Sequence, residues 1–492
     1  MDEDEDLKQA IALSLRDRLE GNDSDQHEQH EMKQALALSL GKTVEQLTAR
    51  DMMRLQDSMG SNQGEKRPFS ESTSPTSDAK RTAPERFWDG VVRLTYVEGF
   101  TLASAIRFED IVQKSHLRKA LITAMVVSTD WIEEQFPPDI NLCVVLHGRP
   151  AMARKLDNRV FIMPPMKDEN WGVFHSKLML LFHTSSVRVV IGSANLEPYD
   201  YRDLENVVFI QDFPESSHTV AHEKDLPEFA RDLCDLLDKM QVPPSVKQEL
   251  FKYDFSRAKA HIVASVSGVF HGDYAYRRYG HPRLADVVRQ IDAANPETRI
   301  EIQTSSLGGM TPSYLHELYR SCCGTDPYAN GGKTPRVTRD MHLPPVDIIY
   351  PSRDTVEDSK LGPPGAGTIC FNRASWEKTT FPKQIMCDSI SHRAGTLMHS
   401  KYIIASLPGA SKKGNNAMKG WVYVGSHNAT MGAWGKLSQD KMTKEPKTSI
   451  NNWELGIVLP LHDTSDIPAP YLRPPPRYKP GQQPWTQEGY FD

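Results

Sequence analysis

The chain carries one short pattern twice, and this duplication limits its possible folds more than any other feature. The first copy occupies 174–177 and the second 398–401, each with a His and a Lys two residues apart. Each copy continues, after a β-branched run, into Gly-Ser-x-Asn at 192–195 and 425–428. In an extended strand, residues at i and i+2 project from the same face. One His-x-Lys carries little information, but two copies with matching Asn predict two equivalent half-sites that meet across a pseudo-two-fold axis.

The side chains of this repeat suit chemistry at phosphorus. A neutral imidazole can attack a phosphodiester, and a second imidazole can protonate the leaving oxygen. Lysines can hold the charge of the non-bridging oxygens in the transition state, and asparagine amides add N–H donors. No carboxylates cluster as metal ligands, so the sequence predicts a reaction without metal or other cofactor. The predicted catalytic residues of the repeat are His175, Lys177, Asn195, His399, Lys401 and Asn428.

Length and composition limit the class of protein. The 492 residues, 39% of them hydrophobic, allow two domains and a tail. No run approaches the roughly 18–20 apolar residues of a membrane span, so no membrane association is expected. Six cysteines without a Cys-x-x-Cys pair favour a reducing compartment with free thiols.

Residues 1–42 form an acidic segment that is itself repeated. This segment holds eleven Asp and Glu against five Lys and Arg. Two helices are predicted there, because apolar and small residues recur at i, i+3, i+4 and i+7 after acidic starts that favour a helix N-terminus. Each stripe is too narrow for a core but fits a shallow groove on a partner, although two merely solvated helices would show the same pattern. The stripes consist of Leu7, Ala10, Ile11 and Ser14, and of Met32, Ala35, Leu36 and Ser39.

The acidic repeat resembles the ubiquitin-interacting motif. That resemblance implies that the two stripes contact ubiquitin, with the central Ala packed on its apolar patch. Residues 43–85 are interpreted as a short helix followed by a disordered Ser/Pro linker. Basic pairs at 66–67 and 80–81 have the spacing of a bipartite nuclear-import signal, so we expect the protein in the nucleus.

The duplicated His-x-Lys resembles the phospholipase D superfamily. Its usual Asp, five residues after the Lys, is replaced here by Phe182 and Ser406. This departure, together with the Asn of each copy, points to the tyrosyl-DNA phosphodiesterase family. Five further stretches agree with that family, and the resemblance extends from about 87 to 492. These stretches are 129–131 with 135–138, 187–195, 349–352, 428–435 and 453–456.

The resemblance implies an α/β fold of two pseudo-symmetric phospholipase D-like halves, at 86–258 and 259–492. Each half would hold a mixed β-sheet flanked by helices, after a largely disordered tail with two short helices. Alternating helix-like and strand-like segments beyond residue 86 are consistent with this fold class.

The resemblance also implies roles for individual residues. His175 would be the nucleophile, and His399 the general acid and later the base, while the lysines and asparagines hold the phosphate. Glu454 would orient His175, and Asn206 would orient His399 where the family often has Gln. Trp171 is a candidate for stacking on a base, with a core Trp as the alternative. Ser305, Ser306 and Thr430 would line the DNA phosphates.

The function implied is DNA repair. A monomeric enzyme would hydrolyse the 3′-phosphotyrosyl bond between single-stranded DNA and trapped topoisomerase I, through a phosphohistidine, acting like an exonuclease at the 3′ end. Ubiquitin or ubiquitylated proteins would recruit or tune it. One alternative is a phosphodiesterase for other 3′-end adducts of DNA or RNA, or for a lipid. Another is a non-catalytic ubiquitin receptor built on the same fold.

Overall fold

The computed structural model describes residues 85–488, except 151–152, 169, 273, 327, 329–341, 409–417 and 464–467. The two predicted ubiquitin-binding helices and the Ser/Pro linker up to residue 84 lie outside the described residues. The structure is mixed α/β, as the sequence predicts, with one large sheet from each half of the body.

The first half contains an eight-stranded mixed sheet in the order β1-β8-β7-β6-β2-β3-β5-β4. Its central strands are buried on both faces, which explains their nearly continuous apolar runs. The strands are β1 Val91–Leu94, β2 Leu117–Ala124, β3 Asn141–Leu146, β4 Arg154–Leu156, β5 Arg159–Ile162, β6 Leu178–His183, β7 Ser186–Gly192 and β8 Val207–Pro214.

Five α-helices are present among the described residues of this half. The longest begins at Glu228, directly after Pro227. Its buried face packs into the core with Phe229, Leu233 and Leu237. The helices are α1 Phe108–Val112, α2 Thr129–Gln135, α3 Pro198–Arg202, α4 Glu228–Lys239 and α5 Pro244–Glu249.

The second half contains a seven-stranded sheet in the order β15-β13-β11-β16-β17-β20-β9, a three-stranded sheet β10-β19-β18 and a two-stranded pair β12-β14. The strands are β9 His261–Ser265, β10 Gly268–His271, β11 Arg299–Gln303, β12 Ser306–Leu307, β13 Val346–Ile349, β14 Cys370–Phe371, β15 Met386–Cys387, β16 Tyr402–Ser406, β17 Gly420–Gly425, β18 Lys436–Gln439, β19 Pro446–Ile450 and β20 Glu454–Leu461.

The helices of the second half are α6 Gly280–Gln290, α7 Pro312–Cys322, α8 Arg353–Glu357, α9 Arg373–Glu377 and α10 Met431–Trp434. In the part of the chain that the structure describes, no helix has the length and apolar character needed to cross a membrane.

The two large sheets share one topology. In the first, β2 pairs in parallel with β3 and antiparallel with β6, and β7 and β8 follow antiparallel. In the second, β11 pairs in parallel with β13 and antiparallel with β16, and β17 and β20 follow. Each His-x-Lys pattern directly precedes a strand at the same place in its sheet, β6 in one half and β16 in the other. The predicted pseudo-symmetry of the halves is therefore present in the strand order and direction.

A shared apolar core joins the halves. Inward-facing residues of β6, β7 and β8 pack in one cluster with those of β16, β17 and β20. A second cluster covers the outer face of the first sheet under α1 and α2, and a third covers the second sheet under α6 and α7. This arrangement fixes the two repeat copies relative to each other, since both follow strands that border the shared core.

Candidate active site

Each His-x-Lys pattern lies in extended backbone just before its strand, and not within the strand as the sequence suggested. Phe174 forms an isolated bridge with Trp453 of the other half, and the backbone N–H of His175 donates to the Trp453 carbonyl at 2.9 Å. In the second copy, Met398 bridges Glu205, and His399 N–H donates to the Glu205 carbonyl at 2.9 Å. Each catalytic histidine is thus anchored to a segment of the opposite half.

His175 is held by a carboxylate from the second half. Its Nδ1 lies 2.7 Å from Oε2 of Glu454, and both side chains are almost fully buried. Glu454 also accepts from the hydroxyl of Ser426 at 2.5 Å and from the amide of Asn452 at 3.4 Å. Three donors around one carboxylate favour its charged form, although burial raises its pKa. Nδ1 of His175 therefore carries the proton, and Nε2 keeps a free lone pair.

His399 faces a different partner from the one expected. Its Nδ1 lies 3.2 Å from Oδ1 of Asp200, without the alignment of a regular hydrogen bond. Asn206, expected to orient His399, accepts instead from the hydroxyl of Ser193 at 2.7 Å and donates to the Asp200 carbonyl at 2.9 Å. The expected contact between Asn206 and His399 is wrong, because the short Asn side chain ends at these two groups.

The two lysines are buried beside their histidines. Nζ of Lys177 donates to the carbonyl of His175 at 2.7 Å, and Lys401 makes the matching contact with the carbonyl of His399. Burial lowers the pKa of Lys177 to about 7, although Glu454 and Asp200 oppose the shift. Burial and the neighbouring Lys177 lower the pKa of Lys401 well below its usual range. Because burial disfavours the charged form of both lysines, an anion bound between them would favour both charged forms, and the site is therefore suited to an anion.

Both histidines are kept neutral by their surroundings. Burial, then the charges of Lys177 and Lys401, lowers the pKa of His175 well below its usual range. Burial and Lys401 lower the pKa of His399 to about 4, while the carboxylate of Asp200 opposes that shift. A neutral imidazole with a free Nε2 is the form that can act as a nucleophile or a base.

The Asn of the second copy is firmly oriented. Its Oδ1 accepts from the backbone N–H groups of Ser305 at 3.3 Å and Ser306 at 3.0 Å. The Ser305 hydroxyl adds a third contact at 3.2 Å. Because Oδ1 of Asn428 is fully used, its NH₂ group remains for a substrate oxygen. Ser305 and Ser306, predicted to line DNA phosphates, act here through Asn428.

The remaining predicted site residues lie in three kinds of surroundings. Asn195 is buried, and its Oδ1 has no hydrogen-bond partner among the described residues. Thr430 is the N-cap of α10, where its hydroxyl accepts from Ala433 N–H at 3.0 Å. Trp171 is half-buried on the loop before His175 and belongs to none of the core clusters, so it is not the core Trp of the alternative interpretation.

Sequence reasoning missed His427, which occupies the variable position of the second Gly-Ser-x-Asn. The Ser265 hydroxyl donates to the Ala433 carbonyl at 2.6 Å, so it must accept from Nε2–H of His427 at 2.9 Å. Nδ1 then accepts from the Tyr423 hydroxyl, and the ring stacks on Trp434 with centroids 4.1 Å apart. Burial lowers the pKa of His427 to about 3. His427 is therefore a neutral structural residue behind the site.

Three other residues were missed, for two different reasons. Ser193 and Ser426 were recognised as part of the repeat without a role. The hydroxyl of Ser193 donates to the side chain of Asn206, and that of Ser426 donates to the side chain of Glu454. Their recurrence in both copies was the available signal. Asp200 had no such signal, because it belongs to α3 and has no counterpart in the second copy of the pattern.

Comparison with known proteins agrees with this geometry. The family model for tyrosyl-DNA phosphodiesterase matches residues 91–483, and the model for the ubiquitin interaction motif matches 2–17 and 28–41. Tyrosyl-DNA phosphodiesterase 1 of Arabidopsis thaliana is 24% identical over 383 residues, covering 72% of this chain and 59% of that protein. The Drosophila melanogaster protein of the same name is 26% identical over 347 residues, covering 64% of this chain and 57% of its own length. The chain thus spans somewhat more than half of these relatives.

Solved structures agree on the fold. The yeast tyrosyl-DNA phosphodiesterase superimposes with a TM-score of 0.58 at 14% identity, over 81% of this chain and 100% of that one. A mutant of the same yeast enzyme gives a TM-score of 0.60 at 15% identity, over 81% of this chain and 98% of that one. With a family model that matches most of its length and a duplicated His-Lys-Asn site between two like halves, the chain belongs to the tyrosyl-DNA phosphodiesterase family.

Proposed function

We propose that this protein hydrolyses the 3′-phosphotyrosyl bond that links DNA to trapped topoisomerase I. The observation that carries the proposal is the pairing of His175 Nδ1 with Glu454 at 2.7 Å, inside a buried cluster of two lysines and a second histidine. The pairing leaves Nε2 of His175 as the nucleophile toward phosphorus. Membership of the family supports the choice of a DNA adduct as substrate.

In the first step, Nε2 of His175 attacks the phosphorus and forms a P–N bond as the P–O bond to tyrosine breaks. His399 gives a proton to the departing tyrosine oxygen. Lys177 and Lys401 balance the charge of the non-bridging oxygens, and the amides of Asn195 and Asn428 donate to them. The phosphate anion also raises the pKa of both lysines and of His399, which favours their charged forms in the complex.

In the second step, His399 removes a proton from water as the new O–P bond forms. The P–N bond to His175 then breaks, and the products are free His175 and a DNA 3′-phosphate. Each imidazole therefore returns to its starting state after one turnover. The half-buried Trp171 offers a ring on which the terminal base can stack, and a single strand that ends at the 3′ adduct suits an enclosed site.

The tail adds a second binding function to the proposal. The matches at 2–17 and 28–41 contain both apolar stripes described above. Two weak ubiquitin-binding helices on one tether gain affinity when the ubiquitins are suitably spaced. We propose that they bring the enzyme to ubiquitylated protein on DNA in the nucleus, and that the enzyme acts there as a monomer.

The proposal is tested with purified protein and a labelled 3′-phosphotyrosyl oligonucleotide in EDTA. We expect conversion to the 3′-phosphate with EDTA present, because lysines supply the positive charge. His175→Ala should abolish the product, and His218→Ala, a change at an exposed histidine, should not. Activity that is lost in EDTA and restored by Mg²⁺ would contradict the mechanism. An inactive protein that still binds ubiquitin would instead support the non-catalytic receptor.

A further inference from the structure

The acid-base histidine His399 has a carboxylate partner that belongs to the opposite half. Oδ1 of Asp200 lies 3.2 Å from Nδ1 of His399, and the two residues are 1% and 3% exposed. No other side chain among the described residues stands within hydrogen-bonding or ion-pairing distance of that nitrogen. The nitrogen on the far side of the ring, Nε2, is the one that must serve the reacting oxygen.

Pseudo-symmetry shows why Asp200 is needed. Glu454 follows Trp453, which bridges the first histidine segment, and Asn206 follows Glu205, which bridges the second. A serine of the repeat bonds each of them, Ser426 to Glu454 and Ser193 to Asn206. Asn206 therefore stands where Glu454 stands in the other half, but its side chain reaches no further than Ser193 and the Asp200 carbonyl.

Asp200 is held in place from two directions. The amide of Asn206 donates to its backbone carbonyl at 2.9 Å, and the backbone N–H of Asn195 donates to its Oδ2. Asn195 is itself one of the phosphate-binding amides of the repeat. Asp200 is thereby connected by hydrogen bonds to the phosphate-binding Asn195 and to Asn206, the residue that corresponds to Glu454 in the other half.

The charges around His399 are mixed. Lys401 and Lys177 oppose its protonation, His175 lies in the same cluster, and Asp200 is the group that favours protonation. Burial opposes the charged form of Asp200, but His399, the Asn195 amide and Lys401 hold its pKa below the ordinary value. Burial and Asp200 raise the pKa of the adjacent Glu197 to about 8, which favours its neutral form. Asp200 is the carboxylate that faces the ring of His399.

Resting on the proposed function, we propose that Asp200 is the positioning residue of His399. Its carboxylate accepts the proton of Nδ1, keeps the lone pair on Nε2, and stabilises the imidazolium that forms when His399 takes a proton from water. Each catalytic histidine is then paired through Nδ1 with a carboxylate of the opposite half, His175 with Glu454 and His399 with Asp200. An amide in this position would orient the ring without stabilising its charge.

Asp200→Asn separates these roles. The side-chain oxygen of Asn can still accept from Asn195, and its NH₂ group then faces Nδ1 of His399. Nδ1 must accept in that arrangement, which moves the neutral ring's proton to Nε2 and removes the base. Asp203→Asn is the matched control, because Asp203 ends the same helix and pairs with the exposed Arg202.

Single-turnover measurements with two oligonucleotides distinguish the steps. One carries a 3′-phosphotyrosine and the other a 3′-p-nitrophenyl phosphate, whose more acidic phenol needs no general acid to leave. Both give the same phosphohistidine. For D200N we expect normal adduct formation from the p-nitrophenyl ester, but adduct hydrolysis slower by about 100-fold or more, the scale of losing a general base. D203N should behave as wild type in both steps.

A pH profile of adduct hydrolysis gives a second readout. Hydrolysis requires neutral His399, and Asp200 favours its protonation, so D200N should move the acidic limb of the profile to lower pH as the plateau falls. Asp200→Ser removes the charge without adding an amide and allows the same comparison if D200N is unstable. Equal hydrolysis rates in D200N, D200S and D203N would overturn the proposal, as would an unshifted limb.

The outcomes also separate this proposal from the proposed function. Equal slowing of adduct formation and hydrolysis on the p-nitrophenyl ester would mean that Asp200 only maintains the site, which overturns its role toward His399. If wild type cleaves the p-nitrophenyl ester and not the tyrosyl ester, the proposed substrate is wrong. The effect of D200N on hydrolysis of the common adduct would still decide the role of Asp200.

Discussion

At the scale of single residues, the two copies of the repeated pattern differ in how a carboxylate contacts the catalytic histidine. His175 has a well-aligned carboxylate in Glu454, while His399 faces Asp200 at a longer distance. The repeated His, Lys and Asn could be identified from sequence because both copies keep the same spacing. The partner of His399 could not be identified, because the position of Asp200 depends on how α3 packs. The sequence pointed instead to Asn206, whose side chain is bonded to Ser193 and to the Asp200 carbonyl.

The lysines are expected to dominate transition-state binding. Replacing Lys177 or Lys401 by Ala removes one preorganised charge from a buried site, a loss of about 3–4 kcal/mol. We therefore predict that kcat/KM on the 3′-phosphotyrosyl oligonucleotide falls by about two to three orders of magnitude. Lys155→Ala, at an exposed lysine of β4, is the control and should change little. A loss below tenfold for Lys177→Ala would mean that this lysine does not touch the phosphate.

At the scale of elements, the site depends on segments that cross between the halves. The sequence predicted strands at the two patterns, and strands are present, but each histidine lies before its strand on an isolated bridge. The period of the sequence cannot distinguish a residue inside a strand from one on an isolated bridge, because the backbone is extended in both. The bridging partners, 205 and 453, are distant in sequence and are known only from the fold.

A buried ion pair supports one of these crossings. Nε of Arg393 donates to Oε1 of Glu205 at 2.8 Å, and Nη1 donates to the Thr95 carbonyl at 2.8 Å. The backbone carbonyl of the same Glu205 accepts from His399. Arg393→Met would leave the carboxylate buried and unpaired, so we predict a loss of about 3–5 kcal/mol in the free energy of unfolding.

Urea denaturation measures this loss. The double variant Arg393→Met with Glu205→Gln should regain much of the stability, because no charge is left unpaired. Arg202→Met breaks an exposed pair with Asp203 and should cost no more than about 1 kcal/mol. If Arg393→Met is no more costly than Arg202→Met, the pair does not hold the halves together.

At the scale of the whole molecule, buried neutral histidines make stability depend on pH. The pKa of His427 is lowered to about 3 and that of His183 to about 4, each chiefly by burial. The unfolded chain binds these protons below about pH 6.5, and the folded protein does not. Their contribution is therefore complete above pH 6.5 and is lost as the pH falls toward 4, at about 1.4 kcal/mol per pH unit for each group.

His427→Gln removes one of these protons while keeping polar atoms near Ser265 and Tyr423. We predict that the slope of unfolding free energy against pH, measured with urea between pH 6.5 and 4.5, decreases by about 1.4 kcal/mol per unit. His218→Gln, at an exposed position, should leave the slope unchanged. An identical slope in His427→Gln and wild type would show that His427 binds its proton in the folded protein.

The tail should affect recruitment and not chemistry. Replacing Ala10 and Ala35 together by Gln puts bulk at the centre of both stripes and should block close approach to ubiquitin. We predict that this double variant loses ubiquitin binding in an NMR titration and keeps full activity on a naked oligonucleotide. Deletion of residues 1–58 should likewise spare activity, because the catalytic residues all lie beyond 170. Undiminished ubiquitin binding in the double variant would contradict the assignment of the stripes.

The duplicated pattern also predicted the architecture of the whole molecule, since a repeat with one half-site per copy needs two similar halves that face each other. The shared core and matched strand order meet that requirement. The central claim is that two equivalent-looking histidines have unequal roles. Tyrosine leaves as a phenolate with modest help, whereas water needs a base, so loss of His399 should slow hydrolysis of the adduct more than its formation.

Denaturing gels of variants mixed with labelled 3′-phosphotyrosyl DNA test this inequality most directly. His399→Ala should accumulate DNA covalently attached to the protein through His175, and His175→Ala should yield no adduct. The double variant should also yield none, which assigns the attachment to His175. An adduct on His175→Ala with none on His399→Ala would reverse the two roles, and no adduct on either would contradict a phosphohistidine intermediate.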